Sequence, residues 1–307
     1  MKKYLVLAFL ITLIIISGCK KNTDTGNKGT FKGGTEGVSV SFVNLAPPSS
    51  FTQGDSVKLK VLLKNKGETL VQTGNAKVRI FGINLDNFGL QNVYKSNLGP
   101  IQGQGELTAT GGEQEVELGT INYKLPIINQ DSYTLRARLC YPYQTLVKAD
   151  VCSQSLITQE SKGEICALAG EKIKSGDVSS APIQVTSVTE QTRSNDQVRF
   201  DIKIENKGKG QVFLIDNKCE DLDKDEVRFE SKNKIKITVR GPINVKCAFR
   251  SGDPSSSGII TLDDTGISTL SCWKNVEEPI VEKLDLQLDY LYREETSKDI
   301  LIYQSRR

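Results

Sequence analysis

The chain writes one phrase twice: "GDSVKLKVLLKNKGE" from Gly54 to Glu68, and "NDQVRFDIKIENKGK" from Asn195 to Lys209. In the first, Val57, Leu59, Val61 and Leu63 fall on one side of an extended chain. Lys58, Lys60 and Lys64 fall on the other, with Leu62 the exception. In the second, Val198, Phe200, Ile202 and Ile204 alternate with Arg199, Asp201, Lys203 and Glu205. A period of two marks a half-buried β-strand, because successive strand side chains point to opposite faces. Asp55 answers Asp196, and Asn65-Lys66-Gly67 answers Asn206-Lys207-Gly208 at the same spacing. The phrase predicts one strand and turn made twice, with Asn and Gly suited to a left-handed turn.

A second echo supports the repeat. "YTLRARLCYPY" (Tyr133 to Tyr143) and "KLDLQLDYLY" (Lys283 to Tyr292) both alternate, and each precedes a polar turn and another apolar run. Each half is therefore expected to end in a long hairpin. Helical periodicity is weak and turn residues recur, so the predicted fold is all-β, two tandem immunoglobulin-like β-sandwich domains. Their expected bounds are 35–158 and 178–307, with a polar, Gly-containing linker over 159–177. The strand-and-turn pattern V-x-V-x-V-x-N-x-G resembles the CARDB-type immunoglobulin-like domains of prokaryotic surface proteins. That resemblance covers the early strands of each half and implies a role in adhesion or display. The Cys, Trp and Cys spacing of antibody domains is absent, since the only Trp, Trp273, stands beside Cys272.

The N-terminus reads "MKKYLVLAFLITLIIISGCKK". Two lysines precede an apolar run from Tyr4 to Ile16 that is short for a bilayer span, which needs about 20 apolar residues. It reads as a secretory signal peptide over 1–18. The following Ile16-Ser17-Gly18-Cys19 resembles the lipobox of prokaryotic lipoproteins, which implies cleavage before Cys19 and lipidation of its thiol. The alternatives are an uncleaved membrane helix or a plain signal peptide. Residues 19–34, rich in Lys, Asn, Thr and Gly, read as a flexible tether. These features predict an exported protein, membrane-anchored at the cell surface or envelope.

Composition narrows the function classes. Lys plus Arg is 40 against 37 for Asp plus Glu, a formal charge of +3, too near neutral for a dedicated nucleic-acid binder. There is no His, which excludes triads of the Ser-His or Cys-His kind.

Six cysteines follow Cys19: Cys140, Cys152, Cys166, Cys219, Cys247 and Cys272. An even number in an exported chain reads as disulfides, and six allow fifteen pairings. Cys140 and Cys152 are expected to pair across the first hairpin, and Cys247 with Cys272. Three cysteines precede the second half and three lie inside it, so full pairing requires a bridge between the groups. Cys166–Cys219 is the expected one.

Three places could hold chemistry. Asp221, Asp223 and Asp225 have the alternate spacing that begins a calcium loop, yet Glu226 and Lys232 replace the Gly and Glu of an EF-hand. They read as a loose calcium site or a solvated acidic loop; no other cofactor is expected. Ser231 and Lys234 form a Ser-x-x-Lys pattern in a polar run, which lacks the buried Lys such catalysis needs. Residues 82–114 form a long Gly-rich segment with Phe88 and Tyr94 among polar neighbours. These aromatics either present a binding surface or tuck the loop onto the sandwich. The expected function is a lipid-anchored, non-catalytic protein for binding, adhesion or display. Its partners would be the membrane and an unidentified envelope protein or surface ligand. The alternatives are a structural subunit of an envelope assembly and a His-free hydrolase.

Overall fold

The computed structural model describes residues 29–162, 165–249 and 252–305. The expected signal peptide over 1–18 and Cys19 lie outside these residues.

The fold is all-β and built as sandwiches. Strands β1 (Val38–Phe42), β3 (Val57–Asn65) and β6 (Glu113–Ile121) form a three-stranded sheet at one end. Strands β8 (Ile183–Ser194), β9 (Gln197–Asn206), β12 (Lys246–Cys247) and β14 (Ile267–Asn275) form a four-stranded sheet at the other. The alternation sets both. Leu59, Val61 and Leu63 are buried while their lysine neighbours pair with Glu113, Glu115 and Glu117 on β6. Val198, Phe200, Ile202 and Ile204 are fully buried. Each such side chain contributes about 1.5–3 kcal/mol by leaving water.

One eight-stranded sheet backs both. Its centre is β7 (Gln130–Ser153) against β15 (Ile280–Tyr303), each 24 residues long and antiparallel along their whole length. On the outer edge of β15 lie β2 (Ser50–Thr52), β10 (Gln211–Leu214) and β11 (Lys234–Gly241), with β13 (Ser257–Thr261) beyond β11. On the outer edge of β7 lie β4 (Lys77–Phe81) and β5 (Lys95–Ser96). The two expected hairpins are thus corrected: each is a single strand, and the strands pair with each other. A continuous apolar core runs through both halves.

This ladder also corrects two disulfides. Cys140 and Cys152 share β7, twelve residues and therefore about 40 Å apart, far beyond the roughly 5.5 Å a bridge spans. Instead Cys140 bridges Cys219, and Cys152 bridges Cys166, so the Cys166–Cys219 pairing is corrected as well. Cys247 bridges Cys272, its opposite number across β12 and β14. The bridge between halves is Cys140–Cys219. Three disulfides indicate an oxidising, extracytoplasmic environment.

At the middle of the ladder the two repeats meet. Tyr141 stands opposite Tyr292, and Tyr143 opposite Tyr290. The rings meet edge to face, at centroid distances of 5.4 Å for Tyr141–Tyr143, 6.1 Å for Tyr141–Tyr292 and 6.3 Å for Tyr290–Tyr292. Two hydroxyls hold the repeated turns. Tyr143 donates to Asn65 Oδ1 (3.0 Å) and accepts from the Thr69 N–H (3.3 Å). Tyr292 donates to Asn206 Oδ1 (3.1 Å) and accepts from the Gly210 N–H (2.8 Å). Asn65 is fully buried, and its amide donates to the carbonyls of Thr69 and Ile101. Neither Asn65 nor Gly67, nor their counterparts Asn206 and Gly208, adopts a positive φ. The left-handed turn is therefore corrected: Asn is there as a clasp, and Gly because the tyrosine hydroxyl approaches closely.

The expected tether ends before residue 34. The Glu68 carboxylate accepts the N–H groups of Lys32 (2.9 Å), Gly33 (3.2 Å) and Ser180 (2.6 Å), which docks this stretch on the seam. The 159–177 segment is held too. It carries helix α1 (Leu156–Lys162) at its start and the Cys152–Cys166 bridge. It also carries Lys172, whose ammonium lies 3.1 Å from the buried carboxylate of Glu190. A polar composition therefore marks a segment strapped down by specific polar contacts.

Candidate functional site

The acidic run folds over the outer face of the shared sheet. Helix α2 (Asp225–Ser231) and the short helical turn Asp221–Asp223 cover Phe213, Leu222 and Leu291, with the Cys140–Cys219 bridge beneath them. The three aspartates do not converge. Asp221 pairs with Lys224 (2.9 Å) and Asp225 with Arg228. Asp223 turns toward the other half of the chain, where it accepts from Arg79 (2.8 Å), Arg138 (3.3 Å) and the Tyr94 hydroxyl (2.7 Å). The calcium expectation is corrected: each carboxylate is matched by a cation of this chain. Among the described residues no three His, Cys, Asp or Glu side chains are grouped to hold a metal.

The structure thus joins two residues singled out separately, Tyr94 and Asp223. Tyr94 is a docking residue for the acidic cap, with Arg79 over its ring at 5.3 Å. Burial, and then the Asp223 carboxylate, push its hydroxyl pKa well up. Phe88 is buried edge-on against Tyr123 and Tyr133, each at 5.0 Å, so of its two expected roles it takes the packing one and not the ligand contact. The rest of the long loop is drawn onto the first NKG corner, with Asn65 N–H donating to Gly112 O and Gln104 N–H to Gly67 O. Ser231 is buried, and its hydroxyl donates to the Val227 carbonyl of its own helix (2.6 Å).

Two clefts remain. The first, about 220 Å³, lies where both NKG turns meet the seam and is lined by Glu36, Lys66, Lys207, Lys209 and Glu294. Lys66 is held by Glu36 (3.0 Å) and Lys207 by Glu205. Burial, and then the neighbouring Glu36, push the Glu294 carboxyl up to about 7, against a weaker pull from Lys66 and Lys209. A carboxyl whose pKa rises on folding stabilises the fold below its unfolded value, about 4.3, and loses that stability as pH climbs through 7. Glu294→Gln should therefore flatten the pH dependence of stability. At pH 8 the variant should be more stable than the parent by about 1–2 kcal/mol, a figure already lowered for partial exposure. Urea titrations at pH 5 and pH 8 measure this; an equal gain at both would assign the effect elsewhere.

The second cleft is larger, about 590 Å³, at the far end of the second half. It is built from the start of β9 (Gln197), the loop before β12 (Ile243, Asn244) and the end of β14 (Trp273, Asn275). Strand alternation sets Trp273 outward: its neighbour Cys272 is buried and bridged, so the next side chain faces the solvent side. The Arg193 guanidinium lies over the indole, 3.9 Å from the ring centroid. Gln197 donates to Asn275 Oδ1 (2.8 Å). Sequence reasoning missed this place. Its available signal was the lone Trp at the end of an alternating run.

No family model matches the chain, and no curated protein matches it. Among solved structures, Escherichia coli alpha-2-macroglobulin activated by porcine elastase aligns at 10% identity and a TM-score of 0.16. That alignment covers 87% of this chain and 33% of the other, so the chain spans about a third of that protein's length. A likeness this slight carries no argument about fold or activity.

Proposed function

We propose that the protein is a lipid-anchored, non-catalytic surface protein that binds or displays at the cell envelope. The observation that carries this reading is the β7–β15 ladder. Twenty-four paired residues make a continuous spine of about 80 Å that spans both halves. The stretch at Lys32 and Gly33 docks at the middle of this spine, which leaves both of its ends free to bind or display. The tether sequence and the lipobox-like Ile16–Cys19 supply the attachment. A single acyl chain anchors only marginally, whereas the diacylglycerol that such a cysteine carries gives stable binding.

A second reading, an anchored subunit of an envelope assembly, draws on exposed apolar side chains at both ends. Leu45 and Ile128 are exposed at one end of the ladder, and Ile157, Ile165, Ile280 and Val281 at the other.

Replacing Cys19 by Ala tests the anchor. The parent should incorporate labelled palmitate and partition into detergent, and Cys19→Ala should do neither. A variant that remains membrane-bound as a cleaved, lipid-free chain would overturn it. Cross-linking in intact cells separates the two readings, since a fixed stoichiometric partner would favour the subunit.

A further inference from the structure

We propose that the cleft at Trp273 is a carbohydrate site. There a neutral sugar ring packs against the indole, and its hydroxyls are held by the side-chain amides of Gln197, Asn244 and Asn275. The inference deepens the surface-binding role proposed above and rests on it for its biological setting, though not for its chemistry.

Three observations converge. The first is the platform. A pyranose has an apolar face of C–H bonds, and a flat, half-buried indole is its natural complement. The Arg193 guanidinium, 3.9 Å from the ring centroid, fixes the indole, so little side-chain freedom is left to lose on binding. The second is the polar lining. A carboxamide offers two donors and an acceptor, which matches hydroxyls that both give and take a proton. Three such groups stand around one cleft, and two of them are already aligned by the Gln197–Asn275 hydrogen bond of 2.8 Å. The third is charge. The lining holds two lysines, Lys246 and Lys274, and two glutamates, Glu277 and Glu278. Lys274 is neutralised by Glu282 (2.6 Å) and Glu278 by Lys162 (3.2 Å). The charges of the lining residues balance, and with the Arg193 guanidinium stacked on the indole rather than in the lining the cleft suits a neutral polyol. Its volume of about 590 Å³ accommodates more than one sugar ring.

Trp273 is the only tryptophan of the chain, so its emission reports on this site alone. The test uses the full chain purified from whole cells in a detergent without a sugar headgroup. It is titrated with cellohexaose, maltohexaose and the hexasaccharide of N-acetylglucosamine, and in parallel with polyglycerol phosphate. The expected result is a saturable emission change with at least one neutral hexasaccharide, with Kd about 0.01–1 mM. Asn275→Ala and Asn244→Gly should each weaken it at least tenfold while melting as the parent does. Glycine is chosen at 244 because Asn244 holds a φ of 63°, which Ala would strain. Trp273→Ala, which loses the reporter, should lose retardation in a gel containing the same glycan. No response to any neutral hexasaccharide overturns the proposal. So does a response to polyglycerol phosphate alone, or binding unchanged in both asparagine variants. Because the titration uses purified protein, it can fail while the Cys19 anchor stands, and the reverse.

Discussion

Replacing Cys140 and Cys219 by serine lowers stability by about 4–5 kcal/mol, the largest loss from any of the three bridges. The chain enclosed by this pair is 79 residues, against 14 and 25 for the others. Loop-closure entropy grows with the logarithm of that length, which puts the shorter bridges near 3–3.5 kcal/mol. The loss falls on the acidic cap first. Without the bridge, residues 219–231 rest on a small apolar cluster and on the contacts of Asp223 with Arg79, Arg138 and Tyr94. The halves themselves stay joined, since the β7–β15 ladder and the common core do not depend on the bridge. Guanidinium unfolding of the double serine variant, followed by circular dichroism, should show an earlier midpoint and still one transition. Two separated transitions would mean that the bridge, and not the ladder, unites the halves.

What the sequence reveals here is faces, and what it hides is partners. The alternation in β3 and β9 identifies the buried residues, because a period of two specifies which side of a strand is apolar. It carries no information on which strand lies alongside. Two alternating runs with a polar stretch between them fit a hairpin or one long strand equally well. In β7 the polar stretch is Gln144, which donates to Asp289 of β15 (2.8 Å), and Thr145, which is buried and donates its hydroxyl proton to the Ile183 carbonyl (2.7 Å). The disulfide errors follow from that one ambiguity, since hairpin arms would have brought Cys140 and Cys152 together. The aspartates show the same limit. Their spacing is visible in the sequence, but Arg79 and Arg138, which neutralise Asp223, lie 144 and 85 residues away. The site at Trp273 is harder still to foresee. Gln197, Asn244 and Asn275 belong to three segments that meet only because β9, β12 and β14 share a sheet.

Alanine at Gly67 or Gly208 should cost more than about 3 kcal/mol, and a second substitution should distinguish the two corners. A Cβ on Gly67 would stand 2.1 Å from the Tyr143 hydroxyl, and 2.6 Å from the carbonyl oxygens of Glu36 and Ser180. A Cβ on Gly208 would stand 2.2 Å from the Tyr292 hydroxyl, 2.7 Å from Pro182 Cβ and 2.9 Å from Tyr292 Cζ. At the second corner the worst contact is a hydroxyl that a phenylalanine lacks, and the ring behind it can shift. Tyr292→Phe should therefore recover about half of the loss caused by Gly208→Ala. At the first corner two backbone oxygens remain after the hydroxyl is gone, so Tyr143→Phe should recover little of the Gly67→Ala loss. Each tyrosine change alone should cost about 1–2 kcal/mol, through the lost bond to Asn Oδ1 and the backbone N–H of Thr69 or Gly210 left without its acceptor; Asn65 Oδ1 keeps the Gly67 N–H. Double-mutant cycles in urea measure both couplings. Equal recovery at the two corners would show that the hydroxyl alone dictates glycine. Unequal recovery would show that the repeated Asn-Lys-Gly is one motif closed by two different walls: the backbone oxygens of Glu36 and Ser180 in the first copy, and the Pro182 ring in the second.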